Sequence, residues 1–187
     1  MLREKIEPGN YYHIYNRGNN GQDIFFEKMN YTYFLDLIKK YLLPVSKIYS
    51  FCLLKNHFHL LLRINDNCET SSKHFSNLFN AYTKSINKKY GRTGSLFEKP
   101  FKRIKIENEI YLKHLILYIH LNPEHHQISK DFSKFKYSSY QSILSNKETN
   151  IERNDVVNYF DGNENFKETH LERKIIITEK NKNIFLE

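Results

Sequence analysis

The 187-residue chain has no tryptophan, two cysteines, four prolines and six glycines. Two cysteines, Cys52 in a predicted strand and Cys68 in a polar loop, do not make a disulfide framework; they read as reduced thiols and point to a cytoplasmic protein. No Gly-x-x-x-x-Gly-Lys-Ser/Thr occurs, which removes a phosphate-cradling P-loop and the ATP chemistry it serves. No apolar run approaches the ~20 residues of a membrane span, and the stretch from Met1 to Asn10 is polar and charged, so neither a membrane helix nor a secretory signal is expected. There is also no internal repeat and no low-complexity linker.

What is present is aromatic and basic. Fourteen tyrosines and fourteen phenylalanines within a 40% hydrophobic composition can bury one core, so one domain is the default. The formal charge is +8, from 29 Lys and Arg against 21 Asp and Glu. Nearly all of that excess lies between Ala81 and Lys105, where Lys84, Lys88, Lys89, Arg92, Lys99, Lys102, Arg103 and Lys105 face the single acid Glu98. Phe97 and Phe101 are interleaved with these cations. Cations for phosphates beside rings on which unpaired bases stack are the ingredients of a single-strand nucleic-acid groove. The plainer alternative is a solvated basic face with both phenylalanines in the core; for the two rings that alternative is the expected one.

The densest signal is Asn56-His57-Phe58-His59-Leu60-Leu61-Leu62. Strand side chains alternate, so Phe58, Leu60, Leu62 and Ile64 form a wholly apolar core face, and His57 and His59 stand side by side on the opposite one. Two such imidazoles can share a metal ion. A strand histidine can equally be a hydrogen-bonded structural residue, and two imidazoles alone are an incomplete site.

About 60 positions downstream, Asn108 to Asn122 reads as a helix with Asn108 as N-cap, Glu109 in the first turn and Pro123 at its end. At about 100° per residue, Tyr118 and Asn122 share one face while His120 points elsewhere. A hydroxyl and a carboxamide oxygen on one face is what a nucleophile beside a metal ligand requires. Alternatively, Tyr118 is a half-buried ring with a wet hydroxyl, and Asn122 a turn former at a helix end.

Taken in order, these segments resemble the single-tyrosine HUH transposases, and within them the REP-associated tyrosine transposases. The resemblance rests on Tyr12-His13-Ile14-Tyr15-Asn16-Arg17-Gly18-Asn19-Asn20-Gly21, on Asn56 to Leu61, on Gly94 to Lys102, on Tyr118-Ile119-His120-Leu121-Asn122-Pro123 and on Tyr137-Ser138-Ser139-Tyr140. The chain departs from the family at Lys55, where proline is usual, and at Glu124, where an aliphatic residue is usual. The resemblance implies metal-dependent cleavage and rejoining of single-stranded DNA at hairpin-associated sites. It assigns His57 and His59 to a Mg²⁺ or Mn²⁺ ion, Asn122 to the third, amide-bearing ligand position, and Tyr118 to the nucleophile that forms a 5′-phosphotyrosine. Arg17 joins Lys84, Lys88, Arg92, Lys99, Lys102, Arg103 and Lys105 as a candidate DNA contact. The partner is then single-stranded DNA with hairpin-forming repeats; a homodimer and a monomer both stay open. Two further readings remain: a hairpin-binding protein that no longer cuts, and a metal-dependent phosphoesterase whose nucleophile is water.

Element by element, the sequence predicts strand Tyr11 to Asn16, helix Tyr31 to Leu43, strands Lys47 to Leu54 and His57 to Ile64, helix Ser72 to Tyr90, strand Phe101 to Ile106 and the Tyr118 helix. That order, βαββαβα, predicts an α+β fold with a ferredoxin-like antiparallel sheet, which is also the fold of HUH endonucleases. Residues 1 to 145 read as the transposase-like domain. A short helix at Tyr137 to Leu144 closes that domain; residues 146 to 187 read as a helical appendage of the same domain, with a short helix at Asn154 to Phe160 and a mixed-charge stretch from Asn163 to Glu187 that carries one apolar patch, Ile175-Ile176-Ile177.

Overall fold

The structure of the chain, a computed structural model, describes residues 5–68 and 71–184, with the side chains of 71 and 176–184 left out. Four strands form one antiparallel sheet in the order β2-β3-β1-β4, namely β1 (Tyr11–Arg17), β2 (Ser46–Leu54), β3 (His57–Ile64) and β4 (Lys102–Ile106). The central strands are those carrying the Tyr12-to-Gly21 and Asn56-to-Leu61 motifs. This is the predicted ferredoxin-like arrangement, with α1 (Lys28–Tyr41), α2 (Ser71–Tyr90) and α3 (Glu109–His125) as its long helices. The C-terminal part adds α4 (Tyr140–Leu144), α5 (Arg153–Tyr159) and α6 (Asn163–Ile184). No helix among the described residues is long and apolar enough to cross a membrane.

The sheet is covered on both faces. Phe58, Leu60, Leu62 and Ile64 of β3 pack with Tyr12 and Ile14 of β1 against Phe34, Leu37 and Ile38 of α1 and Phe75, Leu78 and Tyr82 of α2. On the other face, Leu61, Cys52, Leu54 and Ile106 pack against Leu112, Leu115, Ile116 and Ile119 of α3, and Val156, Phe160 and Phe166 of the C-terminal part join the same cluster. Burying each such side chain is worth about 1.5–3 kcal/mol. The histidine-bearing face, predicted to lie away from the core, is therefore a second core face: Leu61 is wholly buried and His59 is 5% exposed. One leucine among two histidines and an arginine concealed this in the sequence.

Two helix boundaries move for local reasons. Helix α1 starts three residues earlier than predicted because Asn30 Oδ1 accepts from the Phe26 and Glu27 backbone amides while Glu27 caps in return. Helix α3 begins as predicted, with Asn108 Oδ1 accepting from the Tyr111 amide at 2.8 Å. It does not stop at Pro123 but runs on to His125. Pro123 is buried, the His126 amide donates to the Asn122 carbonyl at 3.0 Å, and Glu124 caps the Phe132 amide at 2.8 Å and pairs with Lys174 at 3.0 Å. Packing and these end contacts offset the single hydrogen bond that proline removes.

Residues 163–184, read from sequence as mixed charge, form a helix anchored by Phe166 and His170, both fully buried. Ile175 of the apolar patch is exposed, and the side chains of Ile176 and Ile177 lie outside the described residues. Cys52 and Cys68 are free thiols, Cys52 buried, as expected.

Candidate active site

The site lies on the α3 face at the end of the sheet where β1 finishes and β3 begins. The antiparallel register sets Arg17 opposite His57, Tyr15 opposite His59, and Tyr15 opposite Lys102 on its other side. A required glycine fixes this end. A Cβ on Gly18 would fall 1.9 Å from the Gln22 carbonyl oxygen, and the Gly18 amide donates to the Asn56 carbonyl at 2.8 Å, tying the β1 exit to the β2–β3 hairpin.

The four residues assigned by resemblance come together. The His57 and His59 rings are perpendicular at 5.2 Å, and the Tyr118 ring is 5.4 Å from that of His59. Asn122 is wholly buried, one turn after Tyr118. Its Nδ2 donates to the Tyr118 carbonyl at 2.8 Å. A carbonyl only accepts, so Nδ2 must face it and Oδ1 must point the other way. Among the described residues Asn122 Oδ1 and His59 Nε2 are buried and have no hydrogen-bond partner.

Burial sets the electrostatics. It lowers His57 to about 4, helped by nearby His126 and Arg17 and opposed by the Asn122 carboxamide. Burial also drives His59 well below its ordinary range, with His13, His57 and His126 acting in the same direction. His13 falls to about 4 by burial alone. All three are neutral near pH 7, the form in which imidazole has a lone pair to give. Burial raises the Tyr118 phenol, and the neighbouring Asn122 carboxamide opposes the rise. The phenol by itself is therefore a poor nucleophile at neutral pH.

Second-layer contacts orient the imidazoles. Asn56 Nδ2 donates to the Gly21 carbonyl at 3.3 Å, which turns Asn56 Oδ1 to His57 Nδ1 at 2.7 Å. An amide oxygen can only accept, so His57 carries its proton on Nδ1 and keeps an Nε2 lone pair. His13 Nε2 lies 2.9 Å from His59 Nδ1.

The donor set suits a cation. Two neutral imidazoles and a carboxamide oxygen are donors without protons, and two of their atoms are buried and unmatched, which costs about 1–3 kcal/mol per atom unless something positive meets them. No three His, Cys, Asp or Glu side chains gather as a metal site among the described residues, so the trio depends on Asn122 as its third member.

Several site residues escaped the sequence reading. His13 and Tyr15 stack on each other at 4.6 Å and line the floor beside His59, at 5.1 and 5.7 Å. The period-two spacing of His13 and Tyr15 in a strand was the available signal. His125 stands 6.1 Å from the Tyr118 ring, and His126 stands 4.6 Å from that of His57. Both were lost by ending the helix at Pro123. Conversely, His120 points away from the site, as expected, into a buried chain: its Nε2 meets Ser139 Oγ at 2.8 Å and Ser50 Oγ at 3.1 Å, and its Nδ1 meets His170 Nε2 at 2.9 Å.

Strand alternation divides the candidate DNA contacts. Arg17, paired with Glu98 at 2.7 Å, and the exposed Lys102 lie on the site face. Arg103, opposite Ile14, and Lys105, opposite Tyr12 and paired with Glu7 at 3.0 Å, lie on the α1/α2 face. Exposed Lys84 and Lys88 are on α2, and Lys99 lines a cleft with Asn16, Asn80 and Arg103 on that side. Arg92 is turned inward, with both terminal nitrogens on Gln22 Oε1 at 3.0 and 2.8 Å. Phe97 is buried and Phe101 partly buried against Phe75 and Phe79, the core placement expected for them rather than that of exposed stacking platforms.

No known family profile matches the chain, and no curated protein matches its sequence. Among solved structures, it is similar to a REP-associated tyrosine transposase bound to a REP hairpin, with a TM-score of 0.63, 16% identity, and coverage of 78% of this chain and 85% of that one. That likeness, at such low identity, shows the fold: this chain shares the mixed α+β architecture of a tyrosine transposase.

Proposed function

We propose that the chain is a metal-dependent nuclease and strand-transfer enzyme acting on single-stranded DNA next to a hairpin, with Tyr118 as nucleophile. The observation that carries the reading is the pair of buried, unmatched atoms His59 Nε2 and Asn122 Oδ1 beside the partly exposed Tyr118. His57, His59 and Asn122 would hold a divalent cation, Mg²⁺ or Mn²⁺. Such an ion supplies positive charge to a phosphate oxygen and to the forming phenolate. The Tyr118 oxygen attacks phosphorus, the P–O3′ bond breaks, and the phenol proton passes through solvent to the departing 3′ oxygen. A 5′-phosphotyrosine and a free 3′-hydroxyl result. Because one phosphoester replaces another, a 3′-hydroxyl of a second strand reverses the step without ATP. The hairpin partner is supported by the fold it shares with a hairpin-bound transposase.

The test is incubation with hairpin-bearing single-stranded DNA in Mn²⁺ or Mg²⁺, followed by denaturing electrophoresis. A covalent protein–DNA band that EDTA prevents is expected. Cleavage without a covalent band would support the water-using phosphoesterase, and binding without cleavage the non-cutting hairpin binder.

A second expectation concerns affinity. The register puts Lys102 on the site face and Arg103 behind the sheet, where its guanidinium lies 5.0 Å from the Phe101 ring. Lys102→Ala should therefore flatten the log–log salt dependence of single-strand binding by about 0.7, one phosphate contact, whereas Arg103→Ala should leave the slope unchanged. Fluorescence anisotropy at several salt concentrations checks both, and an unchanged slope for Lys102→Ala would move the strand's path off this face.

A further inference from the structure

We propose that His13 is a positioning residue: it accepts a hydrogen bond from His59 Nδ1 and thereby locks His59 in the tautomer whose Nε2 lone pair faces the centre of the site. The inference rests on the metal reading above and goes beyond it, since His13 would touch neither metal nor DNA. His13 is 5% exposed, on the central strand β1 and facing the site, with its Nε2 2.9 Å from His59 Nδ1. One hydrogen occupies that gap, and its owner decides what His59 offers on its far side.

The two arrangements are unequal. If His13 donated, the proton of His59 would sit on Nε2, a buried nitrogen with no acceptor in reach. If His59 donates, its Nε2 is a lone pair and the proton of His13 moves to Nδ1, which is not among the buried unmatched nitrogens and so reaches water. The second arrangement leaves no buried N–H unmet. It also makes the two histidines alike: the Asn56 oxygen already holds the proton of His57 on Nδ1 at 2.7 Å, so both rings present Nε2. Stacking on Tyr15, at 4.6 Å and 26°, holds the His13 ring in plane for this role. Partners of this kind change metal affinity by about ten- to a hundredfold when removed.

Three proteins decide it: wild type, His13→Leu, which has no acceptor, and His13→Gln, whose amide oxygen can only accept. Titration calorimetry with Mn²⁺ alone should show affinity weakened ten- to a hundredfold in His13→Leu and restored to within a few fold of wild type in His13→Gln. In metal-free, ¹⁵N-histidine-labelled wild type, long-range NMR correlations should show His59 as the Nδ1–H tautomer. Equal Mn²⁺ affinity in His13→Leu and wild type, or an Nε2–H tautomer for His59, overturns the proposal while leaving the site's metal reading intact. A wild-type protein that binds no Mn²⁺ overturns the metal reading instead, and the tautomer spectrum then still decides whether His13 orients His59. Should His13→Leu fail to fold, the wild-type spectrum and the His13→Gln affinity carry the test, with weakened binding in His13→Gln counting against it.

Discussion

Tyr118→Phe is expected to abolish the covalent DNA adduct and to lower strand cleavage by about a thousandfold or more, the scale on which removal of a nucleophile acts, while leaving hairpin binding unchanged. The substitution deletes one oxygen from a side chain that is 40% exposed, so its ring contacts with His59 and His13 persist. The informative companion is Tyr15→Phe. Tyr15 also lies beside His59, with ring centroids 5.7 Å apart, and is the other phenol that could reach a phosphate held there. What separates the two is Asn122, whose carboxamide acts on the Tyr118 hydroxyl and lies on its helix face. Mass spectrometry of trapped wild-type complex should place the DNA on Tyr118, and Tyr15→Phe should form the adduct at near normal yield. DNA found on Tyr15 would reassign the nucleophile.

Tyr118 and Asn122 could be paired from sequence because helical periodicity depends only on spacing, and the Asn108 cap set the phase of α3 correctly. The alternation of Phe58, Leu60, Leu62 and Ile64 likewise needed nothing beyond a period of two. Sequence reasoning failed where tertiary contacts overrule a local rule. Pro123 is a helix breaker by its own chemistry, yet it is buried, and Glu124 ties the helix end to Lys174, so the turn carrying His125 and His126 persists. Counting charge along the chain also leaves out that a strand sends Lys102 and Arg103 to opposite faces. His13 was invisible as a partner of His59 because they meet across 46 positions through strand pairing.

The largest effect expected on stability comes from acid. His120 and His170 are wholly buried and bonded to each other at 2.9 Å, and His170 Nδ1 donates to the Phe166 carbonyl at 2.6 Å. Burial lowers His170 to about 4, against a smaller opposing effect of that carbonyl, and drives His120 well below its ordinary range, with His170 adding to the effect. The unfolded chain takes up these protons near pH 6.5, whereas the folded chain takes up that of His170 only near 4 and His120 shifts in the same direction, so the unfolded state binds more protons in between. Stability is complete above about pH 6.5 and falls as pH drops toward 4, with His170 alone contributing a loss of about 3 kcal/mol. Urea unfolding followed by circular dichroism at pH 7, 6, 5 and 4.5 measures the fall. His13, His57 and His59 titrate in the same direction, so the contrast that isolates His170 is the variant His170→Gln, which cannot take the proton. That variant should be the less stable protein at pH 7, where the packing of α6 against α3 is weakened. Its deficit should shrink steadily toward pH 4.5, because only the wild type pays for protonating residue 170. Parallel stability curves for the two proteins would show that His170 titrates normally and that the buried chain from Ser50 through His120 to Phe166 opens to water.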